Sequence, residues 1–350
     1  MKKIKLIILA TFVLVLGAAV IFIIINRNTT KQTSANVVVY SPHCGDERGD
    51  FIKKKAKEEI GLDVKCVSAG GGTIADRLNN EKNDPQADVV MALNQIFMFQ
   101  LKNNDVLEKY IPKWSDEIPS EYKDGDDYFY GLGRTPILIA YNKQFINIED
   151  APKGWTDLIN IKYKGKYSLA PIENQTTRVY LASMLWRYFE PNNGMISNDG
   201  WNFMKKLYAN SYAFDKNVSW DDVKSGTTPI LIDWYGNIKK QSANYGVNIG
   251  YVDDPTGSPI VAESMALIKN GPDRENGIKF IGWFGSAEIQ AAYAKKFFSF
   301  GQVPLNTKAL ELSSDEIKID AKKFNEQNVN YVIMSKYLNE WLRKIEVEIK

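Results

Sequence analysis

The run Ala69-Gly70-Gly71-Gly72-Thr73 is the sharpest candidate for chemistry in this chain. Glycines between a strand and a helix leave backbone N–H groups free to point at an anion held at the helix N-terminus. The run lacks the lysine of a Walker loop and the G-x-G-x-x-G spacing of a dinucleotide fold, so no nucleotide reading is supported. Hydroxyls recur at other predicted helix starts. Ser41 precedes one, and Thr176 and Thr177 precede another in the second half of the chain. Each hydroxyl serves as a cap or as a ligand donor. Arg178 falls in the first turn of its predicted helix, where a cation is unfavourable unless it faces an anion. Arg134, in Gly131-Leu132-Gly133-Arg134-Thr135-Pro136, approaches the same cleft from just before a strand. Asp233-Trp234-Tyr235 ends another strand, and Asp233 is a partner for an amino group or for hydroxyls.

Other chemistries find little support. His43 is the single histidine, which argues against a His-rich metal site and against a Ser-His-Asp centre. It stays a candidate ligand contact beside Ser41. No nucleophile with a base and no clustered carboxylates appear, so no catalytic residue, metal or cofactor is assigned and the chain does not read as an enzyme. The formal charge is +2 with both signs interspersed, so no basic stripe invites nucleic acid. Cys44 and Cys66 match no zinc or CxxC spacing. In an exported domain they form either a disulfide or two unpaired small core residues.

The elements that must position these groups follow from periodicity. Residues 37–40 read as a buried strand, 46–60 as an amphipathic helix ended by Gly61, 63–68 as a strand, 74–82 as a helix and 87–93 as a strand. This βαβαβ order predicts a parallel sheet with ligands at the carboxyl ends of its strands. The loops starting at Ser41, Ala69 and Asn94 then share one rim. A second α/β run begins near Trp155, with strands at 167–170, 229–233 and 247–251 and helices at 176–189 and 199–209. A strand returns at 264–269, followed by helices at 277–284, 287–296 and 330–348.

Ahead of all this lie residues 6–25, an uncharged apolar run preceded by Met1-Lys2-Lys3-Ile4-Lys5. At about 1.5 Å per residue such a helix spans a hydrocarbon core of about 30 Å, and the lysines hold its amino terminus on the cytoplasmic side. It reads as an uncleaved anchor placing the rest of the chain outside the cytoplasm, at the cell surface or in a periplasm. A cleaved secretory signal is the alternative. Residues 1–35 are therefore an anchor or signal with a polar tether. Hydrophobic residues at 44% and charged residues at 25% give the remainder the balance of a packed protein of two lobes.

Several stretches carry a family resemblance. They are Pro152-Lys153-Gly154-Trp155-Thr156-Asp157-Leu158, Lys162-Tyr163-Lys164-Gly165-Lys166, Leu169-Ala170-Pro171 with Thr176-Thr177, Pro85-Gln86-Ala87-Asp88-Val89, and the helix at 280–290. Together they resemble the extracellular solute-binding proteins of ABC importers, in the branch of ferric-ion, thiamine, phosphonate and hexose-phosphate binders. The resemblance spans residues 37–306. It implies an α/β, two-lobed type 2 periplasmic-binding-protein fold with two hinge-crossing strands, near 136–141 and 252–268. Lobe one is expected at 36–138 plus 262–350 and lobe two at 139–261. Closure over a ligand would be a hinge motion read by a membrane permease.

Ferric binders of the branch carry adjacent tyrosines where this chain has Asp233-Trp234-Tyr235-Gly236, so only Tyr235 matches and iron becomes the alternative ligand. Hexose-phosphate binders resemble the chain at Ser41, Gly72-Thr73 and Thr176-Thr177, positions expected to cradle phosphate, but their His-Asp pair is replaced by Asp233-Trp234. The expected function is the substrate-binding component of an ABC import system, monomeric, capturing a small phosphorylated or phosphonate solute and delivering it to a permease with its ATPase. The expected ligand contacts are Ser41, His43, Gly72, Thr73, Arg134, Thr176, Thr177, Arg178, Asp233 and Tyr235. An exported enzyme or a membrane-tethered ligand sensor is the second alternative.

Overall fold

The computed structural model describes residues 35–350, and the apolar run at 6–25 lies outside the described residues. No helix among the described residues is long and apolar enough to cross a membrane. The first unit of structure is β1 (Ala35–Tyr40), α1 (Glu47–Ile60), β2 (Leu62–Val67), α2 (Gly71–Asn80), β3 (Val89–Asn94) and α3 (Gln95–Asn103). β1 lies between β2 and β3 and pairs with β3 in parallel. All six residues of β3 are buried, as expected of a parallel strand covered on both faces. The loops after β1, β2 and β3 thus open on one rim, as the sequence pattern predicts.

After the two-residue β4 (Leu107–Glu108), β5 (Tyr130–Asn142) is the long strand of the molecule. Its first half pairs antiparallel with β10, and its second half, from Ile137 onward, pairs with β8 and β9. One strand therefore serves two sheets, and the chain returns between β9 (Ile249–Tyr251) and β10 (Ile260–Ile268). These are the two crossings of a mixed α/β, two-lobed architecture. Between the crossings lie α4 (Gln175–Trp186), the hairpin β6 (Phe189–Glu190) and β7 (Met195–Ile196), α5 (Asn198–Asn210), α6 (Trp220–Ser225), β8 (Ile230–Trp234) and α7 (Tyr235–Tyr245). Beyond them come α8 (Arg274–Phe284), α9 (Ala287–Lys296), β11 (Val303–Pro304), α10 (Thr307–Leu312), α11 (Asp315–Asp320) and α12 (Tyr331–Glu348). α12 packs against both α3 and α4.

Two local expectations need correction. Residues 167–170 form no strand, only a single bridge between Ser168 and Ala213. Gly165 turns the chain at a φ of 73° just before it, and Pro171, with no N–H to donate, stops the ladder just after. The glycine loop, in turn, is shorter than its pattern suggests. Gly71 and Gly72 already belong to the first turn of α2, with the Ile74 N–H donating to the Gly70 carbonyl at 2.9 Å.

Cys44 and Cys66 are joined in a disulfide, with Cα atoms 5.3 Å apart. The bond ties the short 3-10 helix Pro42–Gly45, which carries His43, to β2. Closing a loop of this length is worth roughly 3 kcal/mol in the chain-entropy estimate. Thermal melts recorded with and without reductant are expected to show a lower midpoint for the reduced protein.

Candidate functional site

α2 and α4 meet end to end across the groove between the lobes. A Cβ on Gly71 would lie 2.7 Å from the Gln175 side-chain oxygen, and one on Gly72 would lie 2.8 Å from the Glu173 carbonyl. Only glycine permits this approach of one helix start to the other. Neither helix has a side-chain cap. α1, α3, α5, α8 and α12 are capped by Asp46, Asn94, Ser197, Asp273 and Asn330, whereas α7, α9 and α11 share the uncapped start of α2 and α4. The first-turn N–H groups of α2 and α4 are therefore not taken by a capping side chain.

Gln175 closes the contact. Its Oε1 accepts from the Asn94 N–H at 3.2 Å, and its Nε2 donates to the Ala92 carbonyl at 3.4 Å. Ala92 has a φ of 62°, in the left-handed region, where the β3–β10 register shifts. Such a bulge re-aims the backbone and carries strain of order 1–3 kcal/mol. Arg178 lies alongside. Its Nε donates to the Ile172 carbonyl at 2.9 Å, its guanidinium carbon is 5.4 Å from the Phe97 ring centroid, and it makes no ion pair with a carboxylate among the described residues.

Two cavities open beside this contact and share Thr176 and Trp234 in their walls. The larger, about 280 Å³, is lined by Thr177, Tyr180, Asn174, Asn217, Asn237 and Asp233 among others. The Thr177 and Tyr180 hydroxyls are buried close to one another, and neither makes a well-formed hydrogen bond among the described residues. The smaller, about 170 Å³, has His43, Arg48, Thr135, Glu263 and Gln302 on its walls. His43 is held there by Tyr293, whose hydroxyl is 2.8 Å from Nδ1, and by Glu263, 3.1 Å from Nε2. Burial pushes the His43 pKa down against the opposing pull of Glu263.

Asp233 accepts from the Trp234 N–H at 2.8 Å and from the Asn237 amide at 2.6 Å. Burial nevertheless pushes its carboxyl up to about 6. An acid raised in the folded state binds its proton more tightly there than when unfolded. Its burial costs stability as pH rises through the range from about 4 to 6, reaching about 3 kcal/mol above that range. Asp233→Asn is expected to raise the melting midpoint of the empty protein at pH 7.5, and the gain should vanish below pH 4 in a pH series of thermal melts.

The structure brings together His43, Thr176, Thr177 and Asp233 on the cavity walls, with Gly72 and Arg178 at the adjoining helix contact. It does not bring the others. Ser41 is buried and its Oγ accepts from the His43 N–H at 3.0 Å, so it shapes the turn and lines neither cavity. Thr73 is exposed and lines neither cavity. The Arg134 guanidinium is taken by the Glu326 carboxylate and the Ala321 carbonyl. The Tyr235 hydroxyl donates to Asp320 at 3.1 Å and accepts from Lys323 at 2.9 Å, and Tyr235 lines neither cavity. Sequence reasoning missed Thr135, Glu263, Gln302 and Asn237. Only Asn237 had a local signal, one helical turn after Asp233.

A family model described as bacterial extracellular solute-binding protein matches residues 84–325. A probable ABC transporter periplasmic-binding protein of Sinorhizobium fredii is 36% identical over 315 residues, covering 90% of this chain and 86% of that protein. The solved structure of iron-bound HitA from Pseudomonas aeruginosa is similar with a TM-score of 0.76 at 16% identity, covering 89% of this chain and 100% of that one. That of AfuA from Actinobacillus pleuropneumoniae, with fructose-6-phosphate bound, gives 0.73 at 19% identity, covering 91% and 99%. Two sheets joined by a shared strand, a polar cleft between them and this match over most of the chain agree: the chain belongs to the bacterial extracellular solute-binding proteins, and is the substrate-binding component of an ABC import system.

Proposed function

We propose that the solute captured by this binding component is small and anionic, a phosphate ester or phosphonate held between the lobes. The observation that supports this is the abutment of the uncapped N-termini of α2 and α4 beside Arg178. Each helix start carries roughly half a positive charge. Two such ends and a guanidinium with no carboxylate partner among the described residues repel one another unless an anion lies among them. Thr177, whose buried hydroxyl lines the larger cavity, adds a donor from the first turn of α4.

In this reading lobe one comprises residues 36–138 plus 262–350, lobe two comprises 139–261, and residues 6–25 hold a monomeric binder at the outer face of the membrane. A permease and its ATPase receive the solute. Calorimetry on the full-length protein against phosphorylated sugars, aminoalkyl phosphonates, thiamine and ferric ion tests the ligand class. Tight binding of a phosphate ester or phosphonate is expected. Tight binding of Fe(III) that is lost in Tyr235→Phe and indifferent to Arg178→Ala would overturn the reading in favour of a ferric binder.

A further inference from the structure

The smaller cavity has two features that packing does not explain. Thr135, on β5, is 6% exposed, yet its Oγ1 has no hydrogen-bond partner among the described residues. Buried hydroxyls are ordinarily paired, and an orphan on a cavity wall is a donor and acceptor kept for something that enters. Glu263, on β10, is the second. Both of its protein contacts, from the Gln302 amide and from His43, go to Oε2, and no donor takes Oε1 among the described residues.

Burial works against the charge of Glu263, but His43, Arg48 and Gln302 hold its pKa below the usual carboxylate range. Arg48, a cation that also lines this cavity, is already paired with Asp46 at 2.7 Å. The strands are built to present this group. Glu263 sits opposite Gly133 where the β5–β10 register shifts, and a Cβ at Gly133 would lie 2.7 Å from the Gln302 Cγ. Glycine there lets Gln302 lie against the strand and reach Glu263. Trp234 and Phe300, with rings parallel within 13°, complete the walls.

We propose that this cavity is the second compartment of the solute site and reads a hydroxyl- or ammonium-bearing tail, with Glu263 accepting from it and Thr135 completing the set. The solute is then an organophosphate or phosphonate with a hydrogen-bond-donating tail, passing Thr176 and Trp234 from one cavity to the other. This rests on the anionic head group proposed above.

Two matched pairs of probes, titrated calorimetrically into the full-length protein, test it: 2-aminoethylphosphonate against ethylphosphonate, and fructose 6-phosphate against hexyl phosphate. In at least one pair the tail-bearing member is expected to bind about 10- to 100-fold more tightly. Thr135→Val and Glu263→Gln should each erase that advantage and leave the tail-less member at its wild-type affinity. Thr135→Val removes no hydrogen bond within the protein, so it keeps its melting midpoint and decides the matter where Glu263→Gln does not fold. Equal binding of both members of each pair, or equal weakening of both members in Thr135→Val, overturns the second compartment and leaves the anionic head group standing. Failure of all four probes to bind overturns the head group and this inference with it.

Discussion

Gly72→Val is expected to leave the protein folded and unable to capture its solute. Gly72 is in the first turn of α2, where a side chain costs the helix nothing and replaces a residue of low helix propensity. The obstacle is across the cleft. The new Cβ would lie 2.8 Å from the Glu173 carbonyl and 3.4 Å from the Arg178 guanidinium carbon, in the contact made only when the two helix starts meet. Overpacking a close contact costs about 1–3 kcal/mol. The branched side chain also pushes the α2 N–H groups away from anything held there. Together these predict at least about a 100-fold rise in Kd. Calorimetry gives the affinity, and solution scattering with and without solute shows whether the lobes still close. A Gly72→Val protein with wild-type affinity and an unchanged melt would place the solute away from this contact.

Arg178→Ala is the second large effect. A charge-assisted hydrogen bond is worth roughly 1.5–3 kcal/mol, so the Kd of an anionic solute is expected to rise about 10- to 150-fold. The dependence of Kd on salt should flatten in the same variant, because a fixed cation has been removed. Stability should change little. The side chain's other ties are one hydrogen bond to the Ile172 carbonyl and contact with the Phe97 ring. Arg178→Lys keeps the charge but not the planar fork, and is expected to recover only part of the loss. An affinity unchanged in Arg178→Ala would leave the anionic reading without its cation.

Two residues that carried the family resemblance, Asp88 and Trp155, turn out to be structural. Asp88 accepts from the Val38 N–H at 2.7 Å and binds the start of α8, joining β1 to the far end of the chain. Trp155 is buried, its N–H donating to Asp254, which also pairs with Arg187. Such residues identify a fold well because the fold fails without them, and they say little about a ligand. Tyr235 illustrates the difference. From sequence it is the one match to a pair of ligand tyrosines, but Asp320 and Lys323, from a distant part of the chain, converge on its hydroxyl.

The elements themselves were legible wherever their cause is local. Period-2 and period-3.6 patterns marked β1, β2, β3, α1, α4, α5, α8, α9 and α12 to within a few residues, and Gly61, left-handed at φ 68°, ends α1 as its position implies. The six-residue α6, α10 and α11 were missed, and so were α3 and α7. The last two each follow their strand without an intervening residue, so the change of period has no punctuation. The helix starts holding Thr176, Thr177 and Arg178 were readable for the same local reason. Which polar groups share a cavity was not. Glu263 and Gln302 are 39 residues apart, His43 and Tyr293 are 250 apart, and the orphaned Thr135 hydroxyl is defined by partners it lacks. Sequence alone determined the βαβαβ order of β1 to β3, and with it the rim where loops gather, because hydrophobic period and turn chemistry act over a few residues. Only tertiary structure decided which side chains face that rim. That choice depends on strand register, on the bulges at Ala92 and Glu263, and on the approach of α2 to α4, each set by pairings between segments far apart in the chain.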